Sequence, residues 1–83
     1  MRLQVEFTTE PFDLSEPPRH AVVGREVLEA AELDTVEVGP FGNLAEGGTE
    51  QVLAVVGDLL RRTLEAGATR VSLQVNVLRE ADR

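Results

Sequence analysis

Hydrogen-bonding side chains alternate with apolar ones at both ends of the chain, and these residues could recognise a ligand. Gln4 and Glu6 alternate with apolar residues near the N-terminus, and Ser72, Gln74 and Asn76 do so near the C-terminus. Amides, a hydroxyl and carboxylates can bind a heterocycle that carries both donors and acceptors. A carboxylate would also favour a cationic ligand. The pattern therefore indicates binding chemistry.

Residues that commonly catalyse reactions are scarce in this chain. The sequence has no cysteine, tyrosine or tryptophan, and His20 is its single histidine. A lone histidine without clustered partners favours an exposed residue at a helix start over a metal ligand or a general base. Without cysteine, neither a disulfide nor a thiolate zinc site can form. We predict a protein that is not an enzyme and has no metal site and no cofactor.

The length and the net charge of the chain limit the number of domains and the kinds of partner that it can have. A chain of 83 residues fits one domain, residues 1–83. Fifteen acidic residues against eight basic ones give a formal net charge of −7. This charge argues against nucleic acid, because phosphate binding needs a basic surface. The excess carboxylates either attract cations or only keep a small protein in solution.

No segment of the sequence predicts a membrane span or an export signal. No apolar run approaches the roughly 20 residues that a membrane helix needs. The first residues, MRLQVEF, have the alternation of a strand and not the pattern of a signal peptide. We expect a cytoplasmic location without membrane insertion.

Hydrophobic periodicity predicts six elements in the order β-α-β-β-α-β. Apolar residues two apart predict strands near 3–8, 35–38, 42–46 and 70–77, and residues three to four apart predict helices near 18–32 and 49–66. Thr49 is the predicted N-cap of the second helix, and Gly67 suits the left-handed position that ends it. Its core stripe is predicted to be Val52, Val56, Leu59, Leu60, Thr63 and Leu64. On its wet face we expect i,i+4 ion pairs, Asp58 with Arg62 and Arg61 with Glu65.

Two βαβ units joined by a hairpin predict the α+β class. The compact arrangement is a ferredoxin-like sandwich, with a four-stranded antiparallel sheet and both helices on one face. The first and third strands would be central, and the last would lie at an edge. The strand residues expected to meet the helices are Leu3, Val5, Phe7, Val36, Val38, Leu44, Val71, Leu73 and Val75.

The opposite face of the sheet is predicted to be open and polar. Its expected residues are Gln4, Glu6, Thr8, Thr35, Glu37, Asn43, Ser72, Gln74 and Asn76, with Ala45 also facing out. Antiparallel sheets commonly leave one such face in water. The alternative is a polar ligand site, and both interpretations are compatible with the pattern.

Three residues near the strand ends have two possible roles each. Phe41 would either lay its ring against a flat or cationic ligand or plug the turn. Glu46 would either contact a ligand or accept bonds from the Gly48 and Thr49 amides. Arg70 is expected to pair with a carboxylate, such as that of Glu46, more readily than with a ligand.

The last strand is long, regular and rich in valine. A regular edge strand invites pairing with another chain. We therefore predict at least a dimer, joined by this edge or by face-to-face packing of the open sheets. Face-to-face packing would enclose the polar face as a pocket between subunits.

The segments GPFGNLAEGG and EAGATRVSLQVNV carry a family resemblance. Their order resembles the YkoF-like, or MTH-type, thiamine-binding family. That family has a Pro-Met-Gly-Thr-like turn with a following Glu-Gly, then a helix, then Gly-small-x-Arg-Val. The matching residues are Pro40, Gly42, Glu46, Gly47, Arg70 and Val71.

Two positions depart from that pattern, and the stretch PFDLSEPPRH after the first strand departs more. Phe41 stands where the family often has methionine, and Asn43 stands where it often has threonine. The resemblance implies a ferredoxin-like fold, assembly into dimers or tetramers, and binding of thiamine or its pyrimidine precursor. It does not imply catalysis.

The residue chemistry and the resemblance support one function hypothesis. It is non-catalytic binding of thiamine or a related cationic or pyrimidine heterocycle, in vitamin salvage or transport. The alternative is a homo-oligomeric interaction or regulatory module without a small-molecule ligand. Glu6 or Glu37 would balance the thiazolium, and an amide would pair with the aminopyrimidine. The candidate ligand-binding residues are Glu6, Glu37, Phe41, Asn43, Glu46, Ser72, Gln74 and Asn76.

Overall fold

Six elements follow one another in the predicted order β-α-β-β-α-β. The computed structural model describes residues 1–13, 15–39 and 42–78. The elements are β1 (Arg2–Glu10), α1 (Arg19–Ala30), β2 (Thr35–Val38), β3 (Asn43–Gly48), α2 (Thr49–Glu65) and β4 (Arg70–Leu78). None of the helices in these ranges is long and apolar enough to cross a membrane.

The four strands form one antiparallel sheet in the order β2-β3-β1-β4. With two helices packed on one side, this is the predicted ferredoxin-like α+β fold. β1 and β3 are central, as predicted, and β4 is an edge strand that pairs with β1 along its full length. The long β1–β4 pairing joins two strands of nine residues each, and apolar and polar residues alternate in both from residues 3 to 8 and 70 to 77.

The core lies between the sheet and the helices. Leu3, Val5 and Phe7 of β1 point into it, as their alternation predicts. The helices supply Val23, Val27, Leu28, Val52 and Leu59, all buried. Each fully buried side chain of this size contributes about 1.5–3 kcal/mol. At Gly24 the layers approach closely, since an added Cβ would lie 3.3 Å from the Phe7 ring.

The two ends of α2 differ in how well the sequence predicted them. Gly67 has a φ of 110°, the left-handed conformation expected at the helix end. The prediction that Thr49 is the N-cap is wrong, because β3 continues through Gly48, which occupies the cap position. The Thr49 hydroxyl instead donates a 2.9 Å hydrogen bond to the Met1 carbonyl, which ties the chain start to the start of α2.

The polar face and the core stripe of α2 were predicted in part. The Asp58–Arg62 ion pair is present at 3.8 Å. The Arg61–Glu65 pair is not among the ion pairs formed by the described residues. Leu64 was expected in the core but is 50% exposed, because the side of α2 on which it lies has no neighbouring helix.

His20 is buried, so the prediction of an exposed position is wrong. It is only 3% exposed, and its Nδ1 lies 2.9 Å from the Thr9 hydroxyl. Its Nε2 has no hydrogen-bond partner in the described part of the chain. His20 thus anchors the first turn of α1 to β1, on the helix side of the sheet.

The faces of β3 are the reverse of the prediction. Ala45 is fully buried in the core, whereas Leu44 is in register with Glu6 and Glu37 on the open face. Asn43 is in register with Phe7, on the helix side. Leu44 is the only large apolar residue in this strand, so the sequence pattern favoured burying it. The small Ala45 allows the central strand to pack closely under the helices.

The helix-side residues of β4 are less covered than predicted. Leu73 and Val75 were expected to meet the helices, but they are 36% and 44% exposed. In this topology α1 crosses over β3 and α2 crosses over β1. β4 therefore extends beyond the edge of the helical layer.

Candidate functional site

Side chains on the open face are arranged in rows that cross all four strands. One row consists of Thr35, Glu46, Gln4 and Asn76, and we call it the bonded row. The next consists of Glu37, Leu44, Glu6 and Gln74, and we call it the carboxylate row. Both rows follow from the antiparallel register, which places every second residue of each strand on this face.

In the bonded row the side chains of Gln4, Glu46 and Asn76 bond to one another. Gln4 Nε2 donates a 2.9 Å hydrogen bond to Glu46 Oε2, and Asn76 Nδ2 donates a longer one of 3.4 Å to Gln4 Oε1. The Arg2 guanidinium lies 3.9 Å from the other Glu46 oxygen and also pairs with Asp34. This row is therefore a structural ladder with little capacity left for a ligand.

The carboxylate row has no such internal partners. Among the described residues, the side chains of Glu6, Glu37 and Gln74 form no hydrogen bond or ion pair. An open cavity of about 690 Å³ lies over this row and is also lined by Thr8 and Ser72. These polar groups are free to bind a ligand.

The geometry of the carboxylate row suits a flat cation. Glu6 and Glu37 lie on β1 and β2, with Leu44 of β3 between them. Two strand spacings place their backbones about 10 Å apart. The Leu44 side chain thus forms an apolar floor between two acidic walls. Because each carboxylate attracts positive charge, a cation that lies between them is attracted by both, and the row would attract a positively charged ring.

Four of the predicted ligand residues line this cavity from the open face. They are Glu6, Glu37, Ser72 and Gln74. Asn43 also lines it, although its register places it on the helix side. Phe41 lies outside the described residues. Sequence reasoning missed Leu44, and the only signal for it was the alternative face assignment of β3.

The remaining predicted residues are occupied elsewhere. Glu46 and Asn76 belong to the bonded row, and Glu46 bonds to Gln4 instead of accepting from the Gly48 and Thr49 amides. Arg70 does pair with a carboxylate, but its partner is Glu10 at 3.8 Å, not Glu46. This pair joins the last residue of β1 to the first residue of β4.

A second cavity of about 160 Å³ lies beside the first, on the other side of Gly39 and Gly42. Its walls include Phe12, Asp13 and other residues of the β1–α1 loop. The Ser15 hydroxyl donates to Asp13 Oδ1, as do the Ser15 and Glu16 amides, and these bonds hold the pKa of the Asp13 carboxyl below its usual range. The described loop residues thus line the second cavity and not the cavity over the carboxylate row.

Metal ligands do not cluster in this structure. Within residues 1–13, 15–39 and 42–78, no group of three or more histidine, aspartate or glutamate side chains could hold a metal ion. With His20 buried on the helix side, the site offers carboxylates, amides and hydroxyls, which bind by charge and hydrogen bonds.

Several solved structures have the same fold as this chain. A protein from Streptococcus pneumoniae superposes with a TM-score of 0.72 and 21% identity, covering 98% of this chain and 91% of that one. A candidate thiamine biosynthesis or salvage protein from Thermotoga maritima gives 0.69 and 23%, covering 99% and 87%. A domain of unknown function, DUF77, from Bacillus cereus gives 0.69 and 21%, covering 93% and 76%.

These similarities show the fold and its extent. They cover nearly the whole chain, so the same arrangement of six elements is found in proteins from these three bacteria. No family model matches the sequence, and no curated protein matches it.

Proposed function

We propose that this protein binds thiamine, or a related heterocycle with a cationic ring and an aminopyrimidine, without catalysing a reaction. The observation that carries this proposal is the pair of unpartnered carboxylates, Glu6 and Glu37, on either side of Leu44 beneath an open cavity. The fold shared with a candidate thiamine biosynthesis or salvage protein supports the choice of ligand.

The proposed pose follows from the charge and polarity of the cavity. The thiazolium ring lies over Leu44, between Glu6 and Glu37, where both its charge and its apolar face are matched. The aminopyrimidine lies toward β4, where Gln74 can both donate to it and accept from it. Ser72 and Thr8 supply hydroxyls at the end of the cavity. A ligand lying over the carboxylates would strengthen their attraction by excluding water.

A binding role agrees better with these residues than a catalytic one. Among the described residues that line the cavity, none is a nucleophile paired with a base, and the single histidine lies on the other side of the sheet. We therefore place the protein in vitamin salvage or transport as a carrier, with the cytoplasm as its proposed location.

Isothermal titration calorimetry tests the proposal. We expect saturable binding of thiamine, with about one ligand per chain, and weaker binding of its neutral pyrimidine moiety, because the carboxylates contribute only toward a cation. Thiamine diphosphate serves as the third ligand. A flat trace with all three, from protein shown by circular dichroism to be folded, would contradict the proposal and favour the interaction module.

A charge-removing variant locates the site. Glu6→Gln combined with Glu37→Gln keeps the shape of both side chains and should weaken thiamine binding about tenfold, the effect of roughly 1.4 kcal/mol. The matched control is Glu46→Gln, which removes a carboxylate from the bonded row of the same face. We expect the control to bind within about twofold of the wild type, because Glu46 is outside the cavity. Equal losses in both proteins would place the ligand elsewhere.

A further inference from the structure

The second cavity differs in size and chemistry from the cavity over the carboxylate row. It has a volume of about 160 Å³ and lies between the β1–α1 loop, the start of α1 and the two glycines Gly39 and Gly42. A volume of this size holds about five water molecules at roughly 30 Å³ each. It therefore suits a small ligand.

Apolar groups form much of the wall of this cavity. Pro11, Phe12, Pro17 and Pro18 contribute from the loop, and Ala21 contributes from α1. Phe12 is 55% exposed, so most of its ring is available for contact. Proline rings are rigid, and a rigid wall loses little conformational freedom when a ligand binds. This wall would remove a short aliphatic group from water.

Two opposite charges line the same cavity without pairing with each other. They are Asp13 of the loop and Arg25 of α1. Within the described part of the chain, the Arg25 guanidinium forms no hydrogen bond or ion pair. Asp13 accepts three hydrogen bonds, but all of them go to Oδ1. Its Oδ2 and the whole guanidinium keep their capacity for charged groups of a ligand.

The hydrogen bonds to Asp13 also prepare it for binding. The Ser15 hydroxyl and the Ser15 and Glu16 amides hold Oδ1 in place. Because these bonds keep the pKa of the Asp13 carboxyl below its usual range, this group is ionised at neutral pH. Arginine is charged at any pH that proteins experience. The cavity thus offers one fixed anion and one cation at the same time.

We propose that the second cavity binds a small zwitterion, of the class of α-amino acids with a short aliphatic side chain. Arg25 donates two N–H groups to the carboxylate of the ligand, and Asp13 accepts from its ammonium. The aliphatic group lies against Phe12 and the proline rings. A ligand that carries only one of the two charges would leave the other charge of the cavity unused.

This site is separate from the proposed thiamine site in both sequence and position. Its loop belongs to PFDLSEPPRH, the stretch that departs most from the family pattern. The carboxylates proposed to bind a cationic ring, Glu6 and Glu37, line only the first cavity. The proposal therefore does not rest on thiamine binding and can fail or succeed without it.

A titration followed by ¹H–¹⁵N NMR spectra tests the proposal with three probes of nearly the same shape. L-Valine carries both charges, isovalerate lacks the ammonium, and isobutylamine lacks the carboxylate. We expect L-valine to bind with a dissociation constant in the millimolar range, at least about fivefold tighter than either analogue. The amides of Thr9, Ala21 and Gly42 should shift, because they belong to residues of the cavity wall. The amide of Gly57, on α2, should not.

Two variants assign the charges to the two ends of the ligand. Arg25→Gln should weaken L-valine at least about fivefold and leave isobutylamine unchanged. Asp13→Asn should weaken L-valine by a similar factor and leave isovalerate unchanged. Both residues are exposed, and asparagine keeps an acceptor for the Ser15 and Glu16 amides, so both variants should fold. Circular dichroism checks this.

The matched control is Arg19→Gln, which removes an exposed arginine of the same helix that is not among the described residues of the cavity wall. It should bind L-valine within about twofold of the wild type. The double variant Glu6→Gln with Glu37→Gln should also bind L-valine normally, even if it no longer binds thiamine.

Three results would overturn the proposal. One is the absence of saturable shifts with L-valine up to about ten times the millimolar concentration expected for half-saturation. Another is equal binding of L-valine and its two singly charged analogues. The third is an equal effect of Arg25→Gln and Arg19→Gln, because the carboxylate of the ligand would then not lie at Arg25.

Discussion

The bonded row and the carboxylate row are neighbours on the same sheet face, and each takes one residue from each of the same four strands. In the bonded row, donors and acceptors alternate, so each carboxylate or amide finds a partner within the protein. In the carboxylate row, Leu44 separates two groups that can only accept. Polarity alone therefore does not mark a binding site. Unused hydrogen-bonding and charge capacity does.

This difference separates stability from binding on one surface. Changes in the bonded row should alter the free energy of unfolding, because they leave partly buried groups without partners. Changes in the carboxylate row should alter ligand affinity, because those groups have no role in the free protein.

The largest expected effect comes from Leu44→Lys, which gives the carboxylate row a cation of its own. The lysine stem keeps the apolar floor, and its ammonium can pair with Glu6 and Glu37. We expect thiamine affinity to fall by about two orders of magnitude, some 2.7 kcal/mol. The free energy of unfolding should stay the same or rise by up to about 1 kcal/mol.

Calorimetry and thermal unfolding measure the two effects. Leu44→Met is the control, because it retains an apolar floor without a charge and should bind within about threefold of the wild type. If Leu44→Lys bound thiamine as well as Leu44→Met, the cation would not lie between the two carboxylates. The carboxylate row would then not be the ligand site.

An intermediate effect is expected for Gln4→Ala, which removes the centre of the bonded row. Gln4 both donates to Glu46 and accepts from Asn76, so two partners lose a contact. Stability should fall by about 1 kcal/mol, which lowers the melting temperature by about 4–8 °C for a domain of this size. Thermal denaturation followed by circular dichroism measures this change.

Glu6→Gln is the control for that experiment, since it alters the adjacent residue of the same face. Its stability should remain within about 0.5 kcal/mol of the wild type. Equal destabilisation by both substitutions would mean that the two rows do not differ in the way their hydrogen bonds suggest.

The smallest effect is expected for Asn76→Ala, at the outer end of the bonded row. Its hydrogen bond to Gln4 is 3.4 Å long, against 2.9 Å for the bond from Gln4 to Glu46. Longer hydrogen bonds are weaker, so stability should fall by about 0.5 kcal/mol or less. Chemical denaturation at a constant slope resolves such a difference. If Asn76→Ala lowered thiamine affinity by more than about threefold, Asn76 would contact the ligand, as the sequence predicted.

Much of the fold follows from local sequence patterns. The period-two runs of β1 and β4 and the apolar stripe of each helix predict element order and strand order, because each long element must bury one face. The end of α2 at Gly67 was also predicted correctly, since the left-handed conformation of this residue is one that residues other than glycine rarely adopt. Of the site, the open-face residues of β1, β2 and β4 were predicted for the same reason.

The tertiary structure decided the features that depend on distant partners. β3 is short and contains two glycines, so its faces were set by its register with β1 and β2, which put Ala45 inside and Leu44 outside. His20 became buried because Thr9 packs against it from another element. The bonded row joins residues 42 and 72 positions apart in the chain. Local periodicity indicates which residues share a face, but only the packed sheet determines which of them satisfy one another and which remain free for a ligand.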